Sequence, residues 1–157
     1  MTFTDAEEAR LARCQPDAQA AFRTIADRME ARRMPVFIGE TGRTDIQQAV
    51  AVASGKSSEH QTKSWHTLKP PVGPRACDFR KRLPGDAFDP TTDDEEFFQA
   101  LYEEATAADC RSLAFHPDGT KIILQTTRGP LWDAGHVEYR HPYATLEEAW
   151  EAAESQT

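Results

Sequence analysis

Ser112-Leu113-Ala114-Phe115-His116-Pro117-Asp118-Gly119-Thr120-Lys121-Ile122-Ile123-Leu124-Gln125 carries two apolar runs on either side of a His-Pro-Asp-Gly turn. Asp-Gly between two such runs is a strong hairpin signal, because both residues tolerate the positive φ that a tight antiparallel connection needs. A hairpin makes at least part of the sheet antiparallel, whereas parallel strands require a long crossover. Together with the helical patterns elsewhere, it makes the expected fold class α+β, with a small antiparallel sheet and helices around it.

On the N-terminal side of the hairpin, Thr92 with Glu95 forms a capping box for a helix to about Ala108, burying Phe97 or Phe98, Leu101 and Ala105. Leu83 to Thr91 contains Pro84-Gly85 and Asp89-Pro90 and reads as an exposed connection, and Arg75 to Arg80 reads as a strand. Lys69-Pro70-Pro71-Val72-Gly73-Pro74 excludes helix and central strand, and the polar stretch from Gly55 to Trp65 is a loop. Thr44 with Gln47 opens a helix to about Ser54, after the short buried strand Pro35-Val36-Phe37-Ile38 and the turn Gly39 to Arg43. Two helices come first: Thr4, with Glu7 as its capping partner, to about Cys14, then Pro16 to about Arg33 with Phe22, Ile25 and Met29 facing the core. On the C-terminal side, Gly129-Pro130 breaks the chain, Val137 to Arg140 alternates like a strand, and Thr145 caps a last helix carrying Leu146, Ala149 and Trp150.

The chain has 157 residues, 39% of them hydrophobic, and its formal net charge is −8. One domain spanning 1–157, with an ordinary core, is expected. The negative charge argues against nucleic-acid and anionic-membrane partners, which are bound mainly through Lys and Arg. No apolar run approaches the length of a membrane span, and Met1 to Glu8 has neither a basic nor an apolar leader region, so synthesis into the cytoplasm is expected. Cys14, Cys77 and Cys110 are odd in number and lack CxxC pairing, which fits reduced, packed thiols; alternation along a strand turns Cys77 away from Asp78.

Two stretches hold metal-ligand chemistry. Ser64-Trp65-His66 leads to Ala76-Cys77-Asp78-Phe79, and Trp132-Asp133-Ala134-Gly135-His136 follows the hairpin. Two imidazoles and a carboxylate suit a catalytic Zn²⁺ site that keeps a fourth position open, and Asp133, three residues before His136, is the spare carboxylate that general-base chemistry requires. Arg43, at the mouth of a strand-to-helix turn, has the charge to bind an oxyanion or a substrate carboxylate. Among the alternatives, His60 also follows the Ser-x-His pattern but sits in a polar loop; His116 belongs to the hairpin turn and His141 to the end of the last strand. Glu138 is either a partner for His136 or a rival base. The run Asp93 to Glu96 lacks the spacing of a calcium loop and reads as a helix N-terminus.

The combination Ser64, Trp65, His66, then Ala76, Asp78, Phe79, then Trp132, Asp133, His136, Glu138 resembles the zinc D-alanyl-D-alanine carboxypeptidase and L-alanyl-D-glutamate endopeptidase family, which includes VanY-like enzymes and phage endolysins. Gly42-Arg43-Thr44 and Gln47 are similar to a further segment of that family, and the likeness runs from about Pro16 to Tyr139 in the family's order. The resemblance implies zinc ligands His66, Asp78 and His136, Asp133 as general base, Arg43 acting on the substrate's charged end and Ser64 supporting the substrate site by hydrogen bonding. It further implies a small α+β zinc domain, a peptidoglycan stem peptide as substrate, and a monomeric, phage-type lysis enzyme made in the cytoplasm that reaches the cell wall after release. An inactive zinc-containing wall-binding or structural module is the alternative. Thr67 to Cys77 place eleven residues between His66 and Asp78 where the family usually has six; a proline-rich bulge that returns to its starting point would preserve the ligands.

Overall fold

In the computed structural model the described residues are 1–43, 45–55, 64–69 and 72–155. The elements are α1 (Asp5–Ala12), α2 (Pro16–Ala31), β1 (Val36–Ile38), α3 (Asp45–Ala53), β2 (Ala76–Leu83), β3 (Ala87–Phe88), α4 (Glu95–Ala107), β4 (Arg111–Ser112), β5 (Leu124–Thr126), β6 (Gly129–Leu131), β7 (His136–Glu138) and α5 (Leu146–Glu154). A five-stranded antiparallel sheet runs β1-β2-β7-β4 with β3 on β2, and β5 and β6 form a separate two-stranded ribbon. The fold is therefore α+β.

β2 organises the molecule because its alternation serves two different faces. Cys77 and Phe79 point into a core built with Phe22, Ile25 and Met29 of α2, Phe97 and Leu101 of α4, and Val137. Phe22 meets Phe79 edge-on at 6.0 Å. Asp78 and Arg80 consequently occupy the opposite face. Ala76, on that same face, joins a smaller apolar cluster with Trp65, Leu68, Val72, Ala149 and Ala153, so α5 and the segment around Trp65 cover one end of it.

The edge strand β1 does not offer its backbone to another chain. The buried Glu7 carboxylate of α1 accepts from Ile38 N at 2.8 Å, Arg10 Nη1 donates to Ile38 O at 2.9 Å, and Arg82 Nε donates to Val36 O at 2.9 Å. Glu7 is in turn paired with the Arg82 guanidinium. α1 thus fastens onto the sheet through a charged clamp while Leu11 joins the core, which covers a strand edge as soluble proteins must.

Several expected boundaries change. β2 continues to Leu83 and turns through Pro84 to Asp86 into β3, so the expected connection Leu83 to Thr91 begins as a hairpin, with positive φ at Gly85 and Asp86. α4 is capped by Asp94, whose Oδ1 accepts from Phe97 N at 3.1 Å, instead of Thr92, and both Phe97 and Phe98 are buried. The hairpin read from Ser112 to Gln125 shrinks to one bridge, Phe115 opposite Lys121. Leu124 to Thr126 pairs instead with Gly129 to Leu131, so Gly129-Pro130 lies within a strand and does not break the chain. Proline is tolerated there because β6 is an edge strand. The expected capping residue Thr44, the loop residues 56–63 including His60, and Pro70-Pro71 lie outside the described residues.

Candidate metal centre

Register creates the site. Asp78 on β2 stands directly opposite His136 on β7, and the next pair on that face is Ala76 opposite Glu138. Cross-strand neighbours of this kind are about 4.5–5.5 Å apart at Cα, so their side chains lie together above the sheet. Ala76 puts only a methyl group across from Glu138, leaving the carboxylate room beneath the His136 ring. Two glycines permit the close approach on both sides of Asp78. Phe79 N donates to Gly135 O at 2.8 Å and Gly39 N donates to Asp78 O at 2.8 Å. A Cβ on Gly39 would sit 2.7 Å from that Asp78 carbonyl, and one on Gly135 would overlap the Phe79 carbonyl.

His66 arrives from outside the sheet. Ser64-Trp65-His66-Thr67 forms a tight turn in which Ser64 Oγ accepts from His66 N at 3.0 Å and Thr67 Oγ1 accepts from Ser64 N at 2.9 Å. Arg75, the residue before β2, donates its N–H to Trp65 O at 2.8 Å, which brings the start of β2 back beside the His66 turn. His66 Nδ1 meets the Thr41 carbonyl, which fixes Nε2 as the outward nitrogen.

The three donor atoms form a nearly regular triangle. His136 Nδ1 is 3.2 Å from Asp78 Oδ1, His66 Nε2 is 3.3 Å from His136 Nδ1, and His66 Nε2 is 3.5 Å from Asp78 Oδ1. Zinc donors at about 2.0–2.1 Å in a tetrahedron lie about 3.3 Å from one another, so the edges match that geometry and the His₂Asp set matches the chemistry. Among the described residues, His66, Asp78 and His136 are the group of His, Cys, Asp and Glu side chains arranged to share an ion.

Around the triangle, each donor residue has a partner. His136 Nε2 donates to Glu138 Oε1 at 2.9 Å, and Arg140 Nε donates to Glu138 Oε2 at 2.6 Å. The Arg140 guanidinium lies 5.2 Å from the centre of the Trp65 ring, which ties the second motif back to the first. Burial opposes charge on His136, but Asp78 and Glu138 on either side raise its pKa well above the ordinary imidazole value. Burial would likewise raise Asp78, yet the two imidazoles outweigh it and hold the carboxyl well below its ordinary range. Such a charge balance suits a site where a cation takes the place of the protons.

Asp133 Oδ2 is 3.8 Å from His136 Nδ1, beside the triangle and 27% exposed at its side chain. Burial is the largest influence on it and pushes its pKa up to about 6, with the neighbouring Asp78 adding to the rise. The loop carrying it is anchored by Trp132, whose Nε1 donates to Ala114 O at 2.7 Å and whose ring meets Phe98 and Phe115 edge-on at 5.7 Å each. Arg43 is 5% exposed at its side chain and lies 3.5 Å from Asp78 Oδ2. Its other contacts are Glu40 Oε2 at 2.7 Å and Gln48 Oε1 at 2.8 Å. Its Nε–H is buried and has no hydrogen-bond partner among the described residues.

All the expected site residues therefore come together: His66, Asp78 and His136 in the triangle, Asp133 and Arg43 beside it, Ser64 bracing the His66 turn. Glu138 is the partner of His136 and is 1% exposed. His116 and His141 are exposed and outside the triangle. Sequence reading missed Arg140, Gln48 and the Thr41 carbonyl: Gln48 braces nearby Arg43 and Arg140 nearby Glu138, while the Thr41 carbonyl and, over the Trp65 ring, Arg140 reach across the chain. The thiols are bystanders: all three are free and buried, and burial raises Cys77 well above its ordinary value and pushes Cys14 and Cys110 up to about 12. No helix among the described residues is long and apolar enough to cross a membrane.

No family model and no curated protein matches the chain. Among solved structures, the crystal structure of the Serratia marcescens L-Ala D-Glu endopeptidase ChiX is similar with a TM-score of 0.59, covering 96% of this chain and 94% of that one at 16% identity. The two chains share a fold over nearly their whole lengths.

Proposed function

We propose that the chain is a zinc-dependent peptidase that hydrolyses an amide bond in bacterial peptidoglycan stem peptides, in the manner of a phage-type endolysin. The observation that carries this reading is the donor triangle with edges of 3.2, 3.3 and 3.5 Å, with a spare carboxylate 3.8 Å from its His136 corner. The name of the structurally similar ChiX puts an L-alanyl-D-glutamate bond ahead of a terminal D-alanine as the point of cleavage.

His66, Asp78 and His136 would hold the zinc, which would supply Lewis acidity for a scissile carbonyl and for nearby water. Asp133 takes the proton from the attacking water and delivers it to the amine as the C–N bond breaks; burial, which pushes its pKa up to about 6, makes it a stronger base than an ordinary Asp. The Arg43 guanidinium, 3.5 Å from Asp78 Oδ2, brings positive charge to the side of the triangle where the oxygen gains negative charge. Ser64 keeps the His66 backbone in its turn.

Digestion of purified sacculi by the zinc-loaded protein, followed by mass analysis, tests the reading. New D-glutamyl N-termini identify the endopeptidase, released D-alanine identifies the carboxypeptidase, and tight zinc without any product identifies an inactive module. Asp133→Asn should keep its zinc while turnover falls by about 10²–10⁴-fold; turnover near that of the parent removes Asp133 from the base role.

A further inference from the structure

The face of the sheet that carries Asp78 continues past the metal centre into a cleft of about 320 Å³ lined by Arg10, Arg13, Arg80, Phe37, Phe88 and Glu40, among others. Arg80 is two residues beyond Asp78 on β2 and therefore on the same face, about 7 Å further along the strand. Glu40 forms the wall between the two, since its carboxylate is bonded to Arg43 at 2.7 Å.

This cleft gathers positive charge in a chain whose formal net charge is −8. Arg23, Arg32, Arg82 and Arg140 each pair with a carboxylate, whereas Arg10, Arg13 and Arg80 make no salt bridge with a described residue. Two of the three guanidinium groups are held over rings: Arg80 lies 5.4 Å from the centre of Phe88, with its Nη1 donating to Pro90 O at 3.2 Å, and Arg10 lies 5.7 Å from the centre of Phe37. Those two rings stack against each other at 4.8 Å, and Phe88 is 40% exposed. Guanidiniums preorganised on aromatic faces, with their forks free of acidic partners, are a built receptor for a carboxylate.

We propose that this cleft is a substrate subsite that binds a free carboxylate of the peptide beside the scissile bond, with Arg13 and Arg80 as its principal donors. The proposal rests on the peptidase reading above and adds a preference for acidic over amidated peptides. A glutamyl residue joined to the next residue through one of its carboxyl groups keeps the other free, so an L-alanyl-D-glutamyl peptide carries such a group next to the bond. Arg43, enclosed by Glu40, Gln48 and Asp78, is then left to act at the reacting carbonyl while the outer arginines hold the charge.

The test compares two stem peptides that differ only in whether the glutamyl carboxylate is free or amidated, using the zinc-loaded protein and its Arg13→Gln/Arg80→Gln double variant. Arg10 is left in place because it braces Ile38 O. The parent should show a KM about tenfold lower for the acidic peptide. The double variant should lose that preference through KM, with kcat for both peptides and zinc content unchanged. Equal KM values for the two peptides in the parent, or an equal change for both in the variant, would overturn the subsite. If the parent cleaves neither peptide, calorimetric titration of both peptides separates the two readings. Arginine-dependent binding of the acidic peptide keeps the subsite while the peptidase reading falls, and absence of such binding overturns the subsite as well.

Discussion

At the scale of single residues, the hydrogen bond made by one nitrogen of an imidazole decides which nitrogen is left to face an ion. His136 faces the other donors through Nδ1 because Nε2–H is given to Glu138, and Glu138 is oriented in turn by Arg140. Removing the carboxylate frees the ring to rotate and to exchange tautomers, and outer partners of metal-binding histidines are typically worth about 10–100-fold in affinity. Glu138→Ala should weaken zinc by that order in a competition with a chelator, while Glu138→Gln, which keeps a carbonyl acceptor, should lose less. Identical affinities for the parent and both variants would remove Glu138 from that role. The four residues at the centre were named from the sequence through the family motifs they resemble, since their types and spacing alone left the site weak, and the fold brings the four side chains together. The Thr41 carbonyl that orients His66 was not, because a backbone acceptor leaves no mark on residue type. Arg140 was equally silent: it bonds Glu138 two residues away, but the Trp65 ring against which it lies comes from 75 positions upstream.

At the scale of elements, the helical spacings and the caps at Thr4 and Thr145 read well, the cap expected at Thr92 falls to Asp94, and the strands read less well, for a physical reason. The side chains of a helix reveal its buried stripe locally, as Phe22, Ile25 and Met29 do in α2, but a strand is defined by a partner that the local sequence does not name. Ile122 and Ile123 were apolar enough to suggest a ladder, yet Ile123 is 49% exposed and the pairing ends at Ile122, whose N donates to Ala114 O at 3.1 Å. Pro84-Gly85-Asp86 has the residues of either a loop or a hairpin turn, and the choice is made by the pairing of Leu83 with Ala87. The clamp between α1 and β1 is an element-scale device with a pH signature. Burial alone would raise the Glu7 pKa, but Arg82 and the N–H groups of Ile38 and Thr4 outweigh it and hold the carboxyl below its ordinary 4.5. A depressed folded-state pKa contributes stability above the unfolded value, and that contribution fades as pH falls through the folded one. Glu7→Gln should therefore cost on the order of 3 kcal/mol in urea unfolding at pH 7, because it takes the buried carboxylate from Arg82 and leaves the guanidinium with the exposed Asp86. The gap from the parent should narrow as the pH is taken below 4.5; a gap independent of pH would show that the ion pair is not its source.

At the scale of the whole molecule, the sheet divides the labour. Its α2 and α4 side is a closed apolar core, and its other side carries the donor triangle, with the arginine cleft further along the same strand. Asp78 and His136 are cross-strand neighbours and would lie together in any molecule that forms β2 and β7. His66 is different, because it sits in a turn flanked by segments outside the described residues and is held to the sheet by Arg43 N to His66 O at 2.8 Å and by Arg75 N to Trp65 O at 2.8 Å. A metal bound by all three closes a loop between that turn and the sheet, so its binding energy becomes folding energy for the native state. At a free zinc concentration of 100 times Kd, the linkage amounts to about 2.7 kcal/mol. For a chain of this size, that corresponds to a rise in Tm of roughly 5–10 °C. His66→Ala should abolish the rise while leaving the metal-free Tm within a few degrees of the parent's, because the sheet and the helical core do not depend on that ring. A zinc-dependent rise that survives in His66→Ala would mean that the ion stabilises the fold through other groups, and the triangle would no longer account for metal binding.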